Sequence, residues 1–166
     1  MDARSESEAR KMKNPTTVER TSERELVVTR TFDGPARLVW KAWTDTELFR
    51  RWWVPKSFPV NLKSIEQDIR VGGTYRLVFE AGGAERAFFG TYREVVPGAR
   101  LVWTNDEGSE QVVTTVTLEE KGDTTRVLMR DLYPSKAALD EAIESGSTGG
   151  ATEQFDALSE LLPTLA

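Results

Sequence analysis

The chain contains no cysteine and no histidine. The first absence excludes disulfides, thiolate metal sites and a cysteine nucleophile. The second removes the side chain that most often serves as a general base near neutral pH, and with it the commonest zinc ligand. A Ser-His-Asp triad cannot be assembled from these residues. No apolar run approaches the roughly 20 residues needed to span a bilayer, so no stable membrane insertion is expected. The N-terminus is polar and charged and carries no secretory pattern, which predicts a cytoplasmic location. The glycine pairs Gly72-Gly73, Gly82-Gly83 and Gly149-Gly150 lack the spacing and the strand-to-helix context of a phosphate-binding loop. Zinc spacing, a calcium loop and a glycosylation sequon are missing too, so no metal or other cofactor is expected.

What is present is a polar chain of 166 residues, 39% hydrophobic and 30% charged, with a net charge of −5. That length fits one domain with a real core. From Asn105 onward there are thirteen acids against four bases. Phosphate backbones would be repelled by that half, which argues against a nucleic-acid partner.

Residues 1–22 are nearly devoid of apolar side chains, with acids and bases interleaved. Such a segment cannot bury enough surface to offset its ordering entropy, so it reads as a flexible tail with at most a short charged helix near Glu6–Lys13. The folded domain is expected over 23–166. Glu25–Phe32 is β-branched and reads as a strand. Asp33-Gly34-Pro35 is turn chemistry leading into a helix, in which Val39, Trp40 and Trp43 recur at helical spacing. Thr44 or Asp45 is placed to cap a second short helix, Thr46–Arg51, with the Trp52-Trp53 pair at its end. Adjacent residues there cannot both face inward equally, so one tryptophan belongs to the core and the other to a pocket mouth or the surface.

A series of strands follows: Ser64–Ile69, Thr74–Glu80, Ala87–Val95, Arg100–Thr104, Gln111–Glu119 and Thr125–Asp131. The turns fall at Gly72-Gly73, Gly82-Gly83, Pro97-Gly98, Gly108 and Lys121-Gly122-Asp123. Such short connections predict an antiparallel meander. Val112, Val116 and Leu118 mark one face of their strand as the more apolar. Ser135 is an N-cap for a helix over Lys136–Glu144. After a break at Gly146–Gly150, the residues Ala151, Phe155, Leu158 and Leu162 form an apolar helical stripe that Pro163 ends. The class is therefore α+β, with a sheet burying one face against an amphipathic C-terminal helix.

The ordered segments TFDGPARLVWKAWTDTELFRRWWVP (31–55), VGGTYRLVF (71–79), FGTYREVVPGARLVWT (89–104) and VTLEEKGDTTRVLMRDLYPSKAALDEA (116–142) resemble those of bacterial proteins similar to the activator of Hsp90 ATPase. These belong to the START-like (SRPBCC) superfamily, also called helix-grip or Bet v 1-like. The resemblance spans roughly residues 25–163. It departs from the pattern at Val54, where members often carry glycine after the tryptophan pair. It implies a curved seven-stranded antiparallel sheet gripping a long C-terminal helix around a cavity, with two short helices after the first strand. Superfamily members bind lipids, sterols, polyketides or other apolar molecules, and a minority catalyse cyclisation, dehydration or hydrolysis.

Under that resemblance Trp40, Trp43, Phe49, Trp52, Trp53, Phe58, Tyr75, Phe79, Phe89, Trp103 and Phe155 are the candidate cavity-lining residues. The alternative role for any of them is plain core filling. Arg93, Arg126 and Arg130 have the chemistry to hold a ligand carboxylate, and Glu66, Asp68, Glu80 and Glu94 to supply a buried acid. On strands, such residues more often face solvent or pair with one another. Tyr75 and Tyr92 are candidates to orient a polar ligand group. The function expected first is non-catalytic binding of a small hydrophobic or amphipathic molecule, a kind of lipid-binding module. An enzyme of the cyclase or hydrolase type would need a carboxylate or tyrosine in the cavity. A chaperone-interacting, Hsp90 regulator-like module is the third reading and rests on analogy alone. Exposed aromatics or a sheet edge would be the surfaces for a homodimer, though no segment specifies one.

Overall fold

The structure is a computed structural model that describes residues 14–55, 57–58, 60–106, 111–146 and 148–165. The short helix considered near Glu6–Lys13 and the turn at Gly108 lie outside the described residues. Among these residues eight strands form one sheet: β1 (Thr17–Arg20), β2 (Glu25–Phe32), β3 (Asn61–Gln67), β4 (Thr74–Ala81), β5 (Ala84–Val96), β6 (Arg100–Asn105), β7 (Val112–Lys121) and β8 (Thr124–Leu132). Four α-helices accompany them among the described residues: α1 (Ala36–Thr44), α2 (Thr46–Trp53), α3 (Lys136–Glu144) and α4 (Ala151–Leu161). A 3-10 turn over Leu162–Thr164 takes in Pro163 and closes the last helix. The sheet order is β1-β2-β8-β7-β6-β5-β4-β3. Every neighbouring pair is antiparallel. The chain thus crosses from β2 through α1 and α2 to the far edge, then meanders back until β8 lies against β2. This is the helix-grip fold, with eight strands where seven were expected.

The extra strand lies inside the segment read as a tail. Thr17–Arg20 is fully exposed, so no hydrophobic pattern marks it. Its pairing with β2 is backbone pairing, and side-chain contacts hold its end. Arg20 bonds the carbonyls of Ser22 and Glu23 and pairs with Asp140 at 2.7 Å. The third strand was expected at Ser64–Ile69 and instead begins at Asn61, with a bulge between Leu62 and Ser64. The backbone beyond Gln67 turns back on itself through the Arg70 N to Asp68 O and Gly73 N to Arg70 O bonds.

Helix boundaries follow side-chain chemistry. Asp45, not Thr44, caps α2: its Oδ1 accepts from the amides of Glu47 (3.1 Å) and Leu48 (3.2 Å). Ser135 Oγ accepts from Ala138 N and starts α3. The α2 helix runs on to Trp53, so the tryptophan pair is helical. Ala151, Phe155, Leu158 and Leu162 are all buried, and α4 lays that stripe across the concave face of the sheet. The core between them includes Val28, Phe32, Trp43, Trp52, Val116, Val127 and Leu158.

Candidate functional site

Along the sheet, period-two alternation sets which side chains face the helices. On β8 these are Thr125, Val127, Met129 and Asp131, and on β7 they are Thr114, Val116 and Leu118. Toward one end of this face the helices no longer fill the space. A cavity of about 760 Å³ remains between the strands, α1, α2, the residues Val54, Pro55, Phe58 and Val60, α3 and the start of α4. Its walls are mostly aliphatic and aromatic. Leu26, Val28, Leu77, Leu101 and Met129 come from the sheet, and Ala142, Gly150 and Ala151 from the last two helices and their link.

Seven of the eleven expected residues meet in this cavity: Trp43, Phe49, Trp53, Phe58, Tyr75, Phe79 and Trp103. Their rings interlock. Trp43 and Trp53 stand edge to face at 5.9 Å, Trp103 lies 6.1 Å from Trp43 and 6.2 Å from Trp53, and Phe49 stacks on Trp53 at 4.8 Å. The other four do not line the cavity. Trp52 and Phe155 are fully buried in the core, and Trp52 Nε1 donates to the Ala42 carbonyl at 2.9 Å. Trp40 packs half-buried against the core, and Phe89 is exposed. The tryptophan pair is therefore divided, with Trp52 structural and Trp53 at the cavity wall. Phe88 lines the wall as well.

The charged candidates lie elsewhere. Arg126 pairs with Glu119 (3.6 Å), Arg130 with Glu25 (3.7 Å), and Arg93 with Gln111 (2.6 Å), all toward solvent. Glu66, Asp68, Glu80 and Glu94 are exposed. Two carboxylates line the cavity: Glu85, which is exposed and paired with Lys63, and Asp131, deeper in the wall. The signal for it was present: an acid in phase with Thr125, Val127 and Met129 on the buried side of its strand.

Asp131 ends a hydrogen-bonded polar line across the sheet. Tyr75 OH donates to the Thr104 carbonyl (2.7 Å) and lies 3.1 Å from Asn105 Oδ1. Asn105 Nδ2 donates to Thr114 Oγ1 (3.0 Å) and to the Val112 carbonyl (3.0 Å). Thr114 Oγ1 donates to Asp131 Oδ1 at 2.6 Å. Burial raises the Asp131 carboxyl to about 6, the Thr114 hydroxyl opposing that shift. The Tyr133 phenol, beside it, is pushed up to about 12 by burial and then by the Asp131 charge. Burial also raises the Tyr92 phenol, against the hydrogen bond from Gln67. Two buried polar atoms on cavity-lining residues have no partner: Trp43 Nε1 and Gln67 Oε1.

At the mouth, Gln154 Nε2 donates to the Trp53 carbonyl, and Ser57 N to Glu153 Oε2 (2.8 Å). Gly150 has no room for a side chain: an added Cβ would sit 2.8 Å from Pro55 and 3.1 Å from Phe58. That close approach brings Pro55 and Phe58 onto the start of α4. No cluster of metal-ligating side chains occurs among the described residues. Among them, too, no helix is long and apolar enough to cross a membrane.

A gripped helix over an open cavity places the molecule in the START-like class. The family model described as activator of Hsp90 ATPase homolog 1-like protein matches residues 33–163, and the chain belongs to that family. Among proteins with curated descriptions, none matches the sequence. Solved structures give the same fold. A Nitrosomonas europaea protein is 25% identical with a TM-score of 0.78, over 87% of this chain and 97% of its own. One from Chromobacterium violaceum is 27% identical with a TM-score of 0.68, over 82% of this chain and 96% of its own. One from Rhodobacter sphaeroides, 21% identical, superposes with a TM-score of 0.81 over 90% of this chain and 99% of its own.

Proposed function

We propose that the protein binds a small hydrophobic or amphipathic molecule, without transforming it, in the cavity between the sheet and the closing helices. The observation that carries this is the cavity's size and wall. About 760 Å³ lined mainly by aromatic and aliphatic side chains falls within the roughly 300–1,000 Å³ typical of ligand sites. Apolar lining of that extent left facing water is unfavourable, and an apolar guest that covers it recovers that free energy. Native mass spectrometry of freshly purified protein is the test, together with titration of an environment-sensitive naphthalene dye. A co-purified molecule, or saturable 1:1 dye binding lost in a Met129→Trp variant that fills the cavity, supports the reading. Neither signal in folded protein sinks it.

One observation favours a second reading, an enzyme of the hydrolase or cyclase type. Asp131 is a cavity carboxyl raised to about 6, the range in which a carboxylic acid can donate and recover a proton near neutral pH. Turnover of a panel of aryl esters that disappears with Asp131→Asn would favour catalysis over binding alone.

A further inference from the structure

The cavity's polar groups are mostly acceptors or neutral, and its one deep charge is negative. Asp131 belongs to a single lateral row across five strands: Tyr92 opposite Trp103, Trp103 opposite Thr114, Thr114 opposite Asp131, and Asp131 opposite Leu26. All five residues line the cavity. Two strand spacings separate Asp131 from Trp103, about 10 Å, with the small Thr114 between them. The carboxylate thus stands at one end of a shallow trough whose other end is the Trp43–Trp53–Trp103 cluster.

Nothing cationic among the described residues answers that carboxylate. Among the described residues its hydrogen-bond partner is Thr114, and no Lys or Arg pairs with it. The arginine that lines the cavity, Arg86, is exposed and lies over the Phe88 ring at 5.3 Å. The neighbouring arginine on β8, Arg130, points to the opposite face and pairs with Glu25. A buried carboxylate without a counter-charge is costly, and its proton affinity is raised accordingly. The unpartnered Gln67 Oε1 lies on β3 beside Tyr92, beyond the tryptophan end of the row, and is no partner for a head group at Asp131.

We propose that the ligand is an amphipathic amine, its ammonium paired with the Asp131 carboxylate and its apolar or aromatic body laid against Trp43, Trp53 and Trp103. This rests on the binding reading above and names the head group. An ammonium supplies that counter-charge and donates to the Asp131 carboxylate oxygens, while the tryptophan faces add cation–π attraction to any charge that strays along the trough. A carboxylate head would meet a like charge. A hydroxyl would bond Asp131 without neutralising it.

Three probes with one aromatic body separate these cases: 2-(1-naphthyl)ethylamine, 2-(1-naphthyl)ethanol and 1-naphthylacetate, titrated calorimetrically into the full chain at pH 7.5. The amine should bind at least tenfold tighter than the alcohol, with the acid weakest. Lowering the pH to 5 should erase most of that advantage, because Asp131 takes a proton while the alkylamine stays charged. The other titratable groups lining the cavity are Tyr75, Tyr92, Tyr133, Glu85 and Arg86, and Glu85 is already ion-paired with Lys63. Asp131→Asn should bring amine and alcohol to equal affinity. Should that variant fail to fold, the pH series on the unmodified protein decides. If the alcohol or acid binds as tightly as the amine, or the amine's advantage survives Asp131→Asn, the head-group assignment is overturned and the cavity reading stands. If none of the three binds, both are overturned.

Discussion

Arg30 on β2 and Asp156 on α4 form an ion pair at 2.6 Å, joining the sheet to the helix it grips across 126 residues of sequence. The Arg30 side chain is 1% exposed and that of Asp156 22%. Arg30 also donates to Thr16 Oγ1 at 3.2 Å, and its Cζ lies 5.4 Å from the Phe32 ring centre, while its Nε is left without a partner. The pair therefore fixes where α4 crosses the sheet more than it adds net stability. Asp156→Ala strands the guanidinium in the core and should cost about 3 kcal/mol in urea unfolding. Arg30→Met with Asp156→Leu removes both charges and should recover most of that loss. A single Asp156→Ala variant as stable as the parent would show that the guanidinium is relieved by water.

Asp131 makes stability fall as pH rises through weakly acid conditions. Its folded carboxyl titrates at about 6, above the ordinary 3.8. Between those values the folded state holds a proton that the unfolded chain has released. The carboxyl's burial is thus free of penalty below about pH 4, and the penalty grows until pH exceeds 6. The full effect is on the order of 2–3 kcal/mol. Asp131→Asn keeps an acceptor for Thr114 and removes the charge. It should be more stable than the parent at pH 8 and no more stable at pH 4, as read by urea midpoints at the two values. Parallel pH profiles for the two proteins would count against a buried, ionising Asp131.

The architecture was readable because it is written in periodicity and punctuation. The Gly82-Gly83 turn, the Ser135 cap and the Ala151–Leu162 stripe each carry their own local signal, and the structure places all three as expected. What stayed hidden depends on contacts distant in sequence. Thr17–Arg20 becomes a strand because β2 offers it an edge. Trp52 and Trp53 are equivalent by composition and differ by the roughly 100° turn between adjacent helical positions. In the site, the aromatic wall was legible from ring content together with family resemblance, but Asp131 was passed over in favour of acids that turn out to be exposed. Counting phase on β8 would have found it, since its neighbours at i−2 and i−4 are buried Met129 and Val127.

Gly90 is a second position whose meaning is three-dimensional. It sits on β5 opposite Tyr75, just before the irregular pairing that begins between Tyr92 and Glu94. A Cβ there would lie 1.8 Å from the Thr104 carbonyl oxygen and 3.0 Å from the Tyr75 ring. The same carbonyl accepts the Tyr75 hydroxyl. Gly90→Ala must therefore push β5 and β6 apart and loosen the Tyr75–Asn105 end of the polar line. A loss of about 3 kcal/mol is expected, together with weaker dye binding. A variant of unchanged stability and affinity would mean that the two strands separate freely at this point.

Trp52 and Trp53 offer the cleanest separation of packing from binding. Trp52 is fully buried and its indole satisfies the Ala42 carbonyl. Trp52→Ala leaves a void beside Trp43, Phe49 and Phe155 and an unpaired carbonyl, so about 3–5 kcal/mol should be lost. Trp53 is half-buried and shows one side to the cavity. Trp53→Ala widens that space without orphaning any buried polar group, since its carbonyl still receives Gln154. Its cost should be near half that of Trp52→Ala, while affinity for a naphthalene probe falls several-fold. Unfolding midpoints and probe titration on the two variants check both halves. If Trp53→Ala binds the probe as tightly as the parent while Trp52→Ala, still folded, does not, the assignment of the pair is reversed.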